Sequence, residues 1–116
     1  MSKYLFILND SPYSSQRSYN ALRMVGAMAN SETNVTIFLL GDGVVNGVRR
    51  QNPANASYNA QEMLRVLKRQ NVSMGACRTC LEARGIDDQS LVEGVERRTL
   101  ADLQQLTEEA DKVLVF

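Results

Sequence analysis

The chain has 116 residues, 44% of them hydrophobic and 22% charged, which suits one domain with a continuous core spanning residues 1–116. Thirteen basic residues balance thirteen acidic ones, so the net charge is zero. That argues against a general nucleic-acid or anionic-membrane binder, which needs a basic excess to displace counterions. The arginine pairs Arg49-Arg50 and Arg97-Arg98 read as solvated surface.

The elements alternate in chain order. Met1-Ser2-Lys3 leads straight into Tyr4–Leu8, a near-continuous apolar run that reads as a strand buried on both faces rather than as a signal peptide. Asn9-Asp10-Ser11-Pro12-Tyr13 breaks it with turn formers. A helix is expected from about Ser14, with Ala21, Leu22, Val25, Met28 and Ala29 on one face, ended by the turn Asn30–Asn34. Val35–Leu40 is a second buried strand, followed at once by Gly41-Asp42-Gly43-Val44 and a short helix over residues 44–50. Residues 51–57 are the most loop-like stretch.

Asn59 as N-cap with Glu62 three positions on predicts a helix with Ala60, Met63, Leu64 and Leu67 facing the core. A third strand over residues 72–76 runs into Cys77-Arg78-Thr79-Cys80-Leu81-Glu82-Ala83-Arg84-Gly85-Ile86, which opens a short helix closed by Gly85. A short fourth strand over residues 93–96 follows. Thr99 with Asp102 starts a last helix carrying Leu103, Leu106, Thr107 and Ala110 on one side. Asp111–Phe116 is the final strand. Strands alternating with helices give an α/β three-layer sandwich, a mostly parallel sheet linked by right-handed crossovers.

The longest apolar runs are too short to cross a bilayer. Two cysteines without an export signal place the protein in reducing cytoplasm, where a close pair is more often catalytic or metal-binding than structural. A structural zinc site wants four Cys or His ligands, and the chain has two Cys and no His, so no metal and no cofactor are expected. The absence of histidine also removes the usual general base near neutral pH, which favours chemistry that a thiolate performs alone.

Cys77 and Cys80, three residues apart at a helix start, are the candidate catalytic residues. Backbone N–H groups there favour thiolate over thiol, and the cations Arg78 and Arg84 act in the same direction. Sites on parallel sheets gather beyond the carboxyl ends of the strands, so residues 9–13, 41–44 and 77–80 are expected on one rim with Cys77 central. Asn9, Asp10 and Asp42 are candidate supporting residues by that placement, although turn and capping chemistry explains each without a site. Tyr13, Tyr19 and Tyr58 line either a pocket or an interface, and Met24, Met28 and Met63 fill core or interface.

Nearly the whole chain resembles the DsrE/DsrF-like family of sulfur-relay proteins, and most closely its YchN-type branch. The resemblance runs through Asn9–Tyr13, Gly41–Val44, Tyr58–Leu64, Cys77–Ile86 and Asp111–Phe116, and the cysteine decapeptide is its most specific part. It implies a five-stranded sheet with helices on both faces, a homo-oligomer (a trimer or hexamer, with the hexamer expected here) and a cysteine loop near the subunit contacts. Sulfur-carrying members hold a persulfide on one cysteine of this loop and pass it between partner proteins. Alignment on Arg84-Gly85 matches that cysteine to Cys77. The chain departs from those carriers at Cys80, where they have a small apolar residue, and a second thiol there could resolve a persulfide on Cys77.

The expected function is therefore a cytoplasmic sulfur-handling protein, accepting and passing sulfane sulfur on Cys77 between a protein donor and a protein acceptor, without nucleic acid or membrane. Two other readings stay open: a dithiol redox or sensor protein using Cys77–Cys80, and a non-catalytic oligomeric ligand-binding module. Thiol reactivity against pH, measured for each cysteine, separates them.

Overall fold

The computed structural model describes residues 2–29 and 32–116. Met1, together with Asn30 and Ser31 of the expected turn, lies outside the described residues. Strands β1 (Lys3–Leu8), β2 (Asn34–Leu39), β3 (Ser73–Cys77), β4 (Val95–Arg98) and β5 (Lys112–Val115) form one sheet in the order β4-β3-β2-β1-β5. Every pairing is parallel, so all five carboxyl ends share one edge. The helices are α1 (Arg17–Met28), α2 (Ala60–Arg69), α3 (Arg78–Ala83) and α4 (Leu100–Glu109).

From β1 to β4 the chain steps one way across the sheet, and from β4 it returns past three strands to β5. Right-handed crossovers therefore put α1 and α2 on one face and α4 on the other. On the first face α1 packs on α2, with Leu67 against the glycine position Gly26. The core lies between: Phe6, Leu8, Ile37, Leu39 and Leu64 are fully buried. On the second face α4 covers only part of the sheet. A cavity of about 270 Å³ remains beside it, lined by Thr36, Phe38, Gly75, Arg98 and Leu106. Val113 and Val115, in register with Leu5 and Ile7 on this same face, are 39% and 64% exposed, and Leu100 is 58% exposed.

Local chemistry explains where elements begin. The first helix starts at Arg17 rather than near Ser14, because both preceding serines are engaged elsewhere. Ser14 bonds Asp10 and the Ser11 carbonyl, while Ser15 donates to Asp10 and accepts from the Arg17 amide. At α4 a reciprocal capping box forms: Thr99 Oγ1 accepts from the Asp102 amide at 3.2 Å and Asp102 Oδ2 from the Thr99 amide at 2.9 Å. At α2 only half of the expected box forms. Asn59 Oδ1 accepts from the Glu62 amide, but the Glu62 carboxylate turns to Arg65.

The segment after β2 is a 3₁₀ turn over Gly41–Gly47 instead of a helix over residues 44–50. Its backbone lies directly on the end of β1: a Cβ at Gly43 would stand 1.9 Å from the Leu8 carbonyl oxygen. Only glycine permits that approach.

Candidate functional site

Cys77 is at once the last residue of β3 and the residue that caps α3. The strand buries its side chain to 2% exposure, and the turn into α3 aims backbone and side-chain donors at its sulfur. The Cys80 amide donates to Cys77 Sγ at 3.4 Å, and Thr79 Oγ1 lies 3.3 Å from the same atom. A cleft of about 260 Å³ opens beside the sulfur, walled by Arg78, Thr79, Glu82, Thr99 and Leu100. Buried as it is, Cys77 still faces solvent-accessible space.

Charge at the two sulfurs is divided unequally. Burial works against ionising Cys77, but hydrogen bonds from the Cys80 thiol, the Thr79 hydroxyl and the neighbouring amides outweigh it and hold the thiol below its ordinary pKa. Cys80 is pushed the other way. Burial raises it, donation of its own proton to Cys77 raises it further, and the Gly41 amide and the Arg84 charge oppose the shift only in part. Of the two thiols, Cys77 is therefore the one whose proton is the more easily lost.

The expected rim is assembled by contacts between its three loops. The Gly41 amide donates to Cys80 Sγ at 3.2 Å, and Arg84 bridges Asp42 Oδ1 at 2.7 Å and the Cys80 carbonyl at 3.0 Å. Two glycines with positive φ, Gly41 (+56°) and Gly85 (+65°), let the chain turn at both ends of this bridge. The loop after β1 joins through Asn46, fully buried, whose Nδ2 donates to the carbonyls of Asp10 and Gly43 and to Ser18 Oγ. Gln51 ties in the next segment: its Nε2 donates to the carbonyls of Asn46 and Val48, and its Oε1 accepts from Tyr13 Oη. The Tyr13 hydroxyl in turn accepts from the Ala60 amide and caps α2.

The candidate residues thus fall into two groups. Cys77 and Cys80 are brought into contact, with Arg84 and Asp42 joined behind Cys80 rather than at Cys77. Arg78 points to Glu82 at 3.6 Å on the exposed side of α3, although its residue borders the cleft. Asp10 serves the start of α1, receiving Ser14 and Ser15. Asn9 is exposed, and its amide donates to the Phe116 carbonyl, joining β1 to β5. Tyr58 packs on Tyr13 and Tyr19 at 4.7 and 4.5 Å, and Tyr13 and Tyr58 border a separate open cleft with Pro53. Met24 is 42% exposed.

Several participants carry no obvious mark in the sequence. Thr79 was the most accessible of them, a hydroxyl two residues beyond a helix-capping cysteine. Gly41 acts through its amide, while Thr99 and Leu100 reach the cleft only because β4 lies beside β3. Among the described residues no group of three or more His, Cys, Asp and Glu side chains is placed to hold a metal ion.

Comparison with known proteins finds similarity along nearly the whole chain. The DsrE/DsrF-like family matches residues 2–116. The chain belongs to that family. Protein YchN of Escherichia coli strain K12 is 42% identical over 118 aligned positions, covering 100% of both chains. The crystal structure of ychN protein from E. coli superposes with a TM-score of 0.94 over 100% of each. A more distant relative, a sulfurtransferase TusD homolog of Vibrio vulnificus strain YJ016, is 29% identical over 98% of this chain and 97% of its own.

Proposed function

We propose that the protein is a sulfur-relay component that accepts sulfane sulfur on Cys77 and passes it on as a persulfide. One observation carries the reading: an otherwise buried sulfur receives the Thr79 hydroxyl and the Cys80 amide and borders a cleft. Membership of the DsrE/DsrF-like family, and the sulfurtransferase named among its distant relatives, support the same chemistry.

In the accepting step the Cys77 thiolate attacks the outer sulfur of a donor persulfide. A new S–S bond forms at Cys77, the donor's S–S bond breaks, and the donor leaves as its thiolate. Passing on is the same exchange in reverse, with an acceptor thiolate attacking the outer sulfur and Cys77 leaving. The donors around Cys77 Sγ stabilise the anion in both directions. Arg84 and Asp42 support the site by fixing Cys80, and Asn9 and Asp10 by holding the neighbouring loop. Arg78 adds positive charge at the mouth of the cleft.

The partners are a protein donor and a protein acceptor in a reducing cytoplasm. No helix among the described residues is long and apolar enough to cross a membrane. The protein also pairs with itself, as a hexamer. Val113, Val115 and Leu100 leave apolar surface on the half-covered face of the sheet, and Leu100 also borders the Cys77 cleft, so a subunit contact there adjoins the site. Light scattering at micromolar concentration tests this, and a monomeric mass overturns it.

The relay itself is tested by incubation with a persulfide donor and intact mass measurement. One added sulfur, removed by reductant and lost in Cys77→Ser, is the expected result. Absence of the adduct under conditions that load a known carrier refutes it. The Cys80 amide bonded to Cys77 Sγ holds the two cysteines side by side, which also favours a dithiol switch as a second reading. That reading requires a reversible Cys77–Cys80 disulfide formed without any sulfur transfer.

A further inference from the structure

We infer that Cys80 is a resolving thiol, which attacks a persulfide held on Cys77 and expels the carried sulfur as hydrosulfide when no acceptor takes it. The inference rests on the persulfide reading of Cys77 and adds a fate for the sulfur that a simple carrier lacks.

The two thiols face different surroundings. Cys77 lines the cleft walled by Thr79, Glu82, Thr99 and Leu100, and Cys80 does not. Cys80 Sγ lies instead against the loop after β2, where it accepts the Gly41 amide at 3.2 Å. A sulfur added to Cys77 has as its open space the cleft, which Cys80 does not line. Cys80, whose amide donates to Cys77 Sγ at 3.4 Å, stays beside the inner sulfur, which is where thiol–disulfide exchange must strike to release the outer one. Exchange at the inner sulfur, with the outer one as leaving group, is therefore the reaction this arrangement favours.

The chemistry balances without a further reactant. Cys77–S–S⁻ and Cys80–SH become the Cys77–Cys80 disulfide and HS⁻. The bond between the two persulfide sulfurs breaks, and its electron pair leaves with the outer sulfur, which is reduced. The Cys80 sulfur is oxidised as it forms the new bond, and its proton passes to the departing sulfide. The Gly41 amide already bonded to Cys80 Sγ stabilises the charge that develops there as the proton leaves. Arg84 holds the Cys80 carbonyl and Asp42 together, keeping that amide and thiol in register. Return to the dithiol takes an external thiol reductant.

The test uses the full chain and cysteine persulfide as donor, with excess donor removed by rapid desalting. Wild type, Cys80→Ser, Cys80→Ala and Cys77→Ser are then followed by intact mass and by a colorimetric sulfide assay, without reductant. The expected result is that wild type loses its added sulfur, releases one equivalent of hydrosulfide and ends two hydrogens lighter. Both Cys80 variants should keep the one-sulfur adduct at least tenfold longer and release no sulfide. Equal persistence of the adduct in wild type and both variants, with no sulfide from wild type, overturns the inference while leaving the carrier reading intact. Failure of every protein to take up sulfur overturns both, as does equal uptake by Cys77→Ser.

Discussion

Thr79→Val removes the hydroxyl that stands 3.3 Å from Cys77 Sγ while keeping the shape of the side chain. Hydrogen bonds to charged groups contribute about 1.5–3 kcal/mol, and a large, diffuse sulfur acceptor at this distance falls at the low end, about 1.5 kcal/mol. Because one pKa unit corresponds to about 1.36 kcal/mol, the Cys77 thiol should rise by about one unit. The thiol then keeps its proton to higher pH, and below the wild-type pKa the thiolate fraction falls about tenfold. A more basic thiolate is also intrinsically more nucleophilic, with a Brønsted slope of about 0.4–0.5, which offsets roughly threefold of that loss. Mixed-disulfide formation at Cys77 with a small neutral disulfide should therefore slow about threefold at low pH and quicken about threefold on the alkaline plateau, the two profiles crossing between. The assay runs across pH in a Cys80→Ser background for both proteins, so that one thiol is read. Thr79 is exposed, so folded stability should change by less than about 0.5 kcal/mol. A midpoint that stays put, or falls, refutes the hydroxyl's assigned part.

Three further outcomes are expected. Asn46→Ala strips a buried donor from the carbonyls of Asp10 and Gly43 and from Ser18, and should cost about 2–3 kcal/mol in urea unfolding; a loss under about 0.5 kcal/mol would mean the loops are held otherwise. Gly43→Ala forces a methyl onto the Leu8 carbonyl and should cost about 3 kcal/mol or more, whereas Gly85→Ala, at φ +65° with open space around it, should cost only about 1–2 kcal/mol; equal losses would contradict the close approach. Asp102 is held below the usual carboxylate range, first by the Thr99 amide and then by its hydroxyl, so its contribution is present above the unfolded pKa and lost as pH falls through the folded value. Asp102→Asn should accordingly lower Tm at neutral pH, with the gap to wild type closing below about pH 4. A gap that is independent of pH would exclude an ionic share in the cap.

Much of the fold was legible because its signals are local. Tyr4–Leu8 and Val35–Leu39 are too apolar and too short for anything but buried strands, and Thr99 with Asp102 writes a cap that forms in full. Where a local signal misled, a tertiary partner had taken the group. Ser14 and Ser15 were drawn to Asp10, the Glu62 carboxylate to Arg65, and the residues after Gly41 were flattened against β1. The cysteine pair was evident from spacing, but the division of labour around it was not. Arg84 looked like a partner for the thiolate, yet its guanidinium engages Asp42 and the Cys80 carbonyl. Thr79, the Gly41 amide and Leu100 matter through distances that depend on β4, β3 and β2 lying side by side, which periodicity alone does not encode.

The contacts that run from Asp10 through Asn46 and Gly43 to Gly41, Cys80 and Arg84 have a consequence for which lengths of chain the family scaffold tolerates here. A residue inserted between Gly41 and Gly47 would slide one partner past two others at once, and the thiol geometry forty positions downstream would shift with it. Residues 54–57 are exposed and bonded chiefly among themselves, so added length there disturbs little. Peptide grafts belong in that second stretch, while the first behaves as a gauge block whose length sets how the sulfurs meet.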